Sequence, residues 1–192
     1  CIEWDELPLF FERLQKNEPN GSFAVVSAVK VLFLTFLRVN SLSGLRWDEL
    51  DLEKDVWVVP ASRMKNRKEF LVPLTDPLKD VLEQLRELNG DQEYAFFTGR
   101  TGKYPHMHPS SINAHLTKMG YKGMLVGHGV RQLPMTYGQD ILKYSSEVIQ
   151  RQLSHTIGDK VRQAYDSSQM LDERRGFMIA WSDAMLERGL II

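Results

Sequence analysis

The stretch GHGVRQLPMTYGQDILKYSSEVIQRQLSHTIGDKVRQAY, residues 127–165, decides how the rest of the chain is read. It sets His128 three residues before Arg131, then His155, then Tyr165 ten residues further on. The segments carrying them have the apolar periodicity of short helices. Two His, an Arg and a Tyr are the groups a metal-free phosphoryl-transfer site needs. Arg forks a pair of phosphate oxygens, His donates or accepts a proton near neutral pH, and Tyr supplies a hydroxyl nucleophile. An H-x-x-R quartet alone occurs by chance in many proteins, so its weight comes from what surrounds it.

Composition sets the outer bounds. A chain of 192 residues, 43% of them hydrophobic, buries a real core and fits one domain better than two. No run approaches the roughly 18 uninterrupted apolar residues of a membrane span, and no basic region followed by an apolar one opens the chain, so the expectation is an intracellular protein. The single Cys, at position 1, cannot form an internal disulfide and lacks a preorganised base. A formal net charge of −1 is unlike a generic nucleic-acid binder. Charge is nevertheless local: Arg63, Lys65, Arg67 and Lys68 crowd one segment, and a patch can bind where the total does not.

Upstream of the opening stretch, Trp4 to Gln15 reads as a helix, with Leu7, Phe10, Phe11 and Leu14 on one face. Asn17 to Gly21 breaks it, and Ser22 is a candidate cap for an almost wholly apolar helix running to about Arg38. Val56 to Val59 and Glu69 to Val72 read as strands of a hairpin with a basic tip, and Tyr94 to Phe97 as a third strand. Between them Val81, Leu82, Leu85 and Leu88 give a helix one apolar face, which Asn89-Gly90 ends. Ser110 or Ser111 starts a helix through Met119, and Ser145 or Ser146 caps one that presents His155 at its end. Asp159 starts a short helix carrying Tyr165, and Met170 to Arg188 is a long helical pattern with Leu171, Met178, Trp181 and Met185 on one stripe. His106, His108 and His115 lack the Cys or carboxylate partners of a usual metal site, so none is expected.

The array from His128 to Tyr165 resembles the C-terminal half of the tyrosine recombinases, the phage integrase family. The phrase VRQAYDSSQMLDERRGFMIAWSDAM, residues 161–185, looks especially like the prophage and genomic-island integrases. The segment TFLRVNSLSGLRWDELDL is similar to the family's first catalytic Arg region, matching at Thr35, Arg38, Leu42, Gly44, Arg46, Trp47, Asp48 and Leu50. It departs at Ser41, where the family usually has Glu. Arg63, Met64, Lys65 and Arg67 match the family's hairpin. After Arg131, Gln132-Leu133-Pro134 replaces the usual basic residue and Thr. Pro is tolerated in a first helical turn, which keeps Arg131 near a helix start.

The resemblance implies an α+β fold, mostly helical with a small three-stranded antiparallel sheet. It implies a tyrosine recombinase catalytic domain over residues 1–192, without the N-terminal DNA-binding domains that integrases carry. The implied activity is site-specific DNA recombination through a 3′-phosphotyrosine made by Tyr165. Arg38 and Arg131 would bind the phosphate with His155, His128 would accept the Tyr165 proton, and Lys65 would protonate the departing 5′ oxygen. Arg63, Arg67 and Lys68 are the expected DNA contacts, and no cofactor or metal is implied. The partners would be double-stranded DNA attachment sites, further copies of the chain as a tetramer, and accessory DNA-bending proteins. The setting would be the cytoplasm of a bacterium, at the nucleoid, with no membrane. Rival readings are a type IB topoisomerase-like enzyme, a catalytically impaired DNA-binding remnant, for which Ser41 and residues 132–134 speak, and a helical domain with no DNA role.

Overall fold

The almost unbroken apolar run after Ser22 forms the centre of the molecule. In the computed structural model, which describes residues 2–17, 22–99, 105–155 and 170–192, it is helix α2, Phe23–Thr35, buried at every position from Ala24 onward. A helix apolar all round needs neighbours all round. Helix α1, Leu7–Asn17, supplies one side by burying Leu7, Phe10, Phe11 and Leu14, with the Phe10 and Phe11 rings 4.8 and 5.2 Å from Phe33. Helices α4 (Asp76–Asn89), α5 (Ser110–Leu116) and α8 (Leu171–Glu187) supply others.

The expected continuation of α2 to Arg38 stops three residues short. Phe36 adopts a left-handed conformation, φ 58°, and its amide closes the helix on the Leu32 carbonyl. For a residue with a Cβ this conformation costs about 1–2 kcal/mol. Burial of the Phe36 ring edge-on to Trp181, at 4.9 Å, offsets the cost. The consequence is functional: the chain turns, and Arg38 stands at the start of a new helix, α3 (Val39–Ser43), instead of at the end of an old one.

The sheet is antiparallel, in the order β1 (Leu50–Asp51), β2 (Val56–Val59), β3 (Phe70–Pro73), with Trp57 opposite Val72 and Val59 opposite Phe70. The hairpin is as expected from its β-branched residues, but the third strand is not. Leu50–Asp51 fills that place, while Tyr94 makes only a single bridge to Arg46 and the next amide, Ala95, bonds the Leu45 carbonyl. Four apolar residues show neither a period nor a partner, so the run could not reveal that it closes a loop and not a sheet edge.

Helices α6 (Leu133–Asp140), with Pro134 in its first turn, and α7 (Ser146–Gln152) carry the opening stretch. Helix α8 buries Phe177, Met178, Trp181, Ala184 and Met185 against its own domain, and the Trp181 indole donates to the Phe33 carbonyl. Leu190 after it is also buried. Among the described residues no helix is long and apolar enough to cross a membrane, and no group of three His, Cys, Asp or Glu could hold a metal.

Candidate active site

Helix α7 is short and aimed. The Ser145 hydroxyl caps its start by accepting from the Val148 amide, and Ser154, at φ 53°, turns the chain out of its end. The His155 amide then bonds back to the Gln150 carbonyl at 2.9 Å. This turn brings the Ser154 hydroxyl to Arg38, whose guanidinium donates to it at 2.9 Å. Arg38, Lys65, Asn66, Gln150, Ser154 and His155 line an open cleft of about 520 Å³. None of these lining residues is acidic.

Arg131 forms the buried wall beside it. Its side chain is 5% exposed, and its guanidinium donates to the Phe36 carbonyl from one terminal nitrogen and to the Leu153 carbonyl, at 2.5 Å, from the other. Arg131 thus ties the left-handed turn before Arg38 to the turn before His155. Those bonds use two of the five N–H groups of a guanidinium. His128 is exposed at the start of the 3-10 turn Gly129–Gln132, and its carbonyl accepts from the Arg131 amide. The preceding Gly127 permits this: a Cβ there would lie 2.7 Å from the Val39 side chain, next to Arg38, and its amide is held by Asn113.

Electrostatics report the same convergence. Burial holds His155 below its ordinary range, and the charges of Arg131, Arg38 and His128 lower it further. Burial pulls Arg131 down to about 10, with Arg38 adding to the effect, so it stays cationic at neutral pH. Like charges gathered without a carboxylate among the cleft-lining residues make a hole shaped for an anion.

The basic hairpin divides in two. Lys65, Arg67 and Lys68 are exposed, and Lys65 reaches the cleft. Arg63, expected at the DNA, has partners within the chain. It forks the Glu49 carboxylate, at 2.8 Å on one oxygen, and also donates to the Gly44 carbonyl. Its side chain is 18% exposed and that of Glu49 only 9%. The Trp57 indole donates to the same carboxylate. Ser41 joins this group and not Arg38: buried, it donates its hydroxyl to the Arg63 carbonyl at 2.8 Å. The carboxylate near this place therefore braces the hairpin, and among the described residues none pairs with Arg38.

Residues 4–171 match the Phage integrase family. The chain belongs to that family. It is 37% identical over 191 residues to the integrase of Enterobacteria phage P4, covering 92% of this chain and 43% of that one. It is 35% identical over 150 residues to prophage integrase IntA of Escherichia coli strain K12, covering 78% and 36%. The chain thus spans less than half the length of these relatives. The fold is similar to the integrase from mycobacterium phage Brujita, with a TM-score of 0.61 at 14% identity over 94% of this chain and 61% of that one. It is also similar to XerA recombinase, with a TM-score of 0.57 at 19% identity over 86% and 62%.

Of the residues the family resemblance singles out, the described structure of this phage-integrase-family chain brings Arg38, Lys65, Arg131 and His155 around one cleft, with His128 close enough for its charge to lower His155. Tyr165 and the helix expected from Asp159 lie outside the described residues. Sequence reading missed Ser154, Gln152 and Arg174. For Arg174 a signal existed: it sits three, four and seven residues before Phe177, Met178 and Trp181, on the apolar face of α8.

Proposed function

We propose that this chain is the catalytic domain of a site-specific recombinase that cuts and rejoins double-stranded DNA at attachment sites; relatives named integrase support the reading. The observation that carries the reading is the cleft lined by Arg38, Lys65 and His155, with no carboxylate among its described lining residues and Arg131 buried beside it. Arg38 and Arg131 bind the nonbridging oxygens of one phosphodiester, where negative charge moves in the transition state. The Tyr165 oxygen attacks phosphorus and its proton passes to His128, while the bond to the 5′ oxygen breaks and that oxygen takes a proton from Lys65. The products are a 3′-phosphotyrosine and a free 5′-hydroxyl, and the reverse reaction rejoins a strand. His155 holds the phosphate by donating an N–H. Arg67 and Lys68 contact flanking phosphates, positioning DNA without reading it. The chain acts as a tetramer on DNA, with accessory DNA-bending proteins, in the bacterial cytoplasm.

A second reading, binding without cutting, is favoured by Ser41 in place of the family's Glu and by the commitment of Arg131 to two backbone carbonyls. Incubation with nicked suicide DNA, in excess chelator, separates the two. Covalent adduct in chelator supports the recombinase, since two Arg and a Lys can do the work metal ions do elsewhere. Retarded DNA without adduct supports the second reading.

A further inference from the structure

We infer that Arg174 is a positioning residue for the recombination cleft, acting through Gln152 on the two turns that aim Arg38 and His155; this rests on the recombinase reading above. Arg174 is fully buried in α8, and burial pulls its guanidinium down to about 9. A buried cation is costly unless its donors are used, and here they are used on specific elements. Nε and one terminal nitrogen both donate to the Gln152 side-chain oxygen, at 3.0 and 2.9 Å. The same terminal nitrogen donates to the Leu71 carbonyl at 2.5 Å, and the group lies 4.4 Å from the Phe70 ring centre.

Gln152 passes the contact on. Its amide nitrogen donates to the Thr35 carbonyl at 3.1 Å, and it is only 1% exposed. Three elements are therefore referred to one guanidinium. Leu71 belongs to β3, which closes the hairpin carrying Lys65. Gln152 ends α7, two residues before Ser154 and three before His155. Thr35 ends α2, directly before the left-handed Phe36 and three residues before Arg38. Arg131 makes the parallel tie one residue further along each strand of this link, from the Phe36 carbonyl to the Leu153 carbonyl. Arg131 makes its tie from the buried wall beside the cleft, whereas Arg174 makes its own from within α8, in the core.

The test uses Arg174→Lys, which keeps the charge but not the fork, and Gln152→Met, which keeps the volume but breaks the relay. Single-turnover cleavage of suicide DNA at saturating concentration gives a rate constant and an amplitude. Positioning predicts a rate constant lower by at least about tenfold in each variant, the scale on which small misplacements of reacting groups act, with amplitude and DNA affinity near those of the unsubstituted chain. The double variant should be no slower than the slower single one, because the two residues form one relay. Loss confined to amplitude, with the surviving fraction cleaving at full rate, would mean that Arg174 only holds the fold together, and would overturn the inference. If the unsubstituted chain forms no adduct, the recombinase reading fails by itself. The His155 ring signals in an NMR spectrum then decide the positioning: displaced signals in both variants support it, and unchanged signals refute it.

Discussion

Arg38 and Ser154, 116 positions apart in the chain, are joined by a 2.9 Å hydrogen bond across the mouth of the cleft. The bond holds the guanidinium at the cleft before any phosphate arrives. Ser154→Ala removes it at the cost of one charge-assisted bond in an open site, about 1 kcal/mol. Single-turnover cleavage is expected to slow by roughly fivefold, the rate equivalent of that energy, with thermal stability little changed. A faster variant would show that the hydroxyl competes with the phosphate instead of presenting Arg38 to it.

The two halves of the basic hairpin should respond oppositely to substitution. If Arg38, Lys65 and Arg131 share one phosphodiester while Arg67 and Lys68 each meet a flanking one, about three phosphates are neutralised and the log-log slope of DNA affinity against salt is on the order of −3. Lys68→Ala, at an exposed position, should flatten that slope by roughly one without lowering the melting temperature. Arg63→Met should leave the slope unchanged but strand the nearly buried Glu49 carboxylate, destabilising the chain by on the order of 3 kcal/mol. Melting curves and binding isotherms at several salt concentrations check both. An Arg63 variant that alters only the slope would return that residue to the DNA.

His155 makes the cleft pH-sensitive, and the sign is fixed by its surroundings. Burial, then Arg131, Arg38 and His128, hold its folded pKa below the ordinary 6.5. The unfolded chain therefore takes up this proton first as pH falls, so stability drops as pH goes below about 6.5 towards the folded value. His155→Gln should flatten that part of the profile in urea titrations. Bound phosphate reverses the imbalance by favouring the imidazolium, so binding of duplex DNA near pH 6 should take up a proton. Calorimetry in two buffers of different ionisation enthalpy reads this directly, and heats independent of buffer would contradict it.

The hairpin, α4 and the stripe of α8 lie where their apolar spacing put them, and α2 begins where its unbroken apolar run does. What escaped has a common cause. The end of α2 is set by Phe36 turning left-handed against Trp181, a partner 145 positions away, and no local propensity reports that. Arg63 and Lys65 are two positions apart on one basic run, yet one braces Glu49 and the other faces the cleft, because Glu49 arrives from a separate 3-10 turn, Trp47–Glu49. Composition shows charge, not direction. The resemblance to the family named Arg38, Lys65, His128, Arg131, His155 and Tyr165 as one set; that Ser154, Gln152 and Arg174 lie beside the described members follows only from carbonyls and hydroxyls brought together by the fold.

Whether a Tyr165 oxygen becomes bonded to DNA is read by trapping and mapping the adduct. Nicked suicide DNA is incubated with the chain, the denatured complex is digested, and the nucleotide-bearing peptide is sequenced by mass spectrometry. One adduct is expected, on Tyr165, formed in chelator and absent from Tyr165→Phe, whose melting temperature is unchanged because only one hydroxyl is lost. An adduct on another residue, or one that persists in Tyr165→Phe, would contradict it.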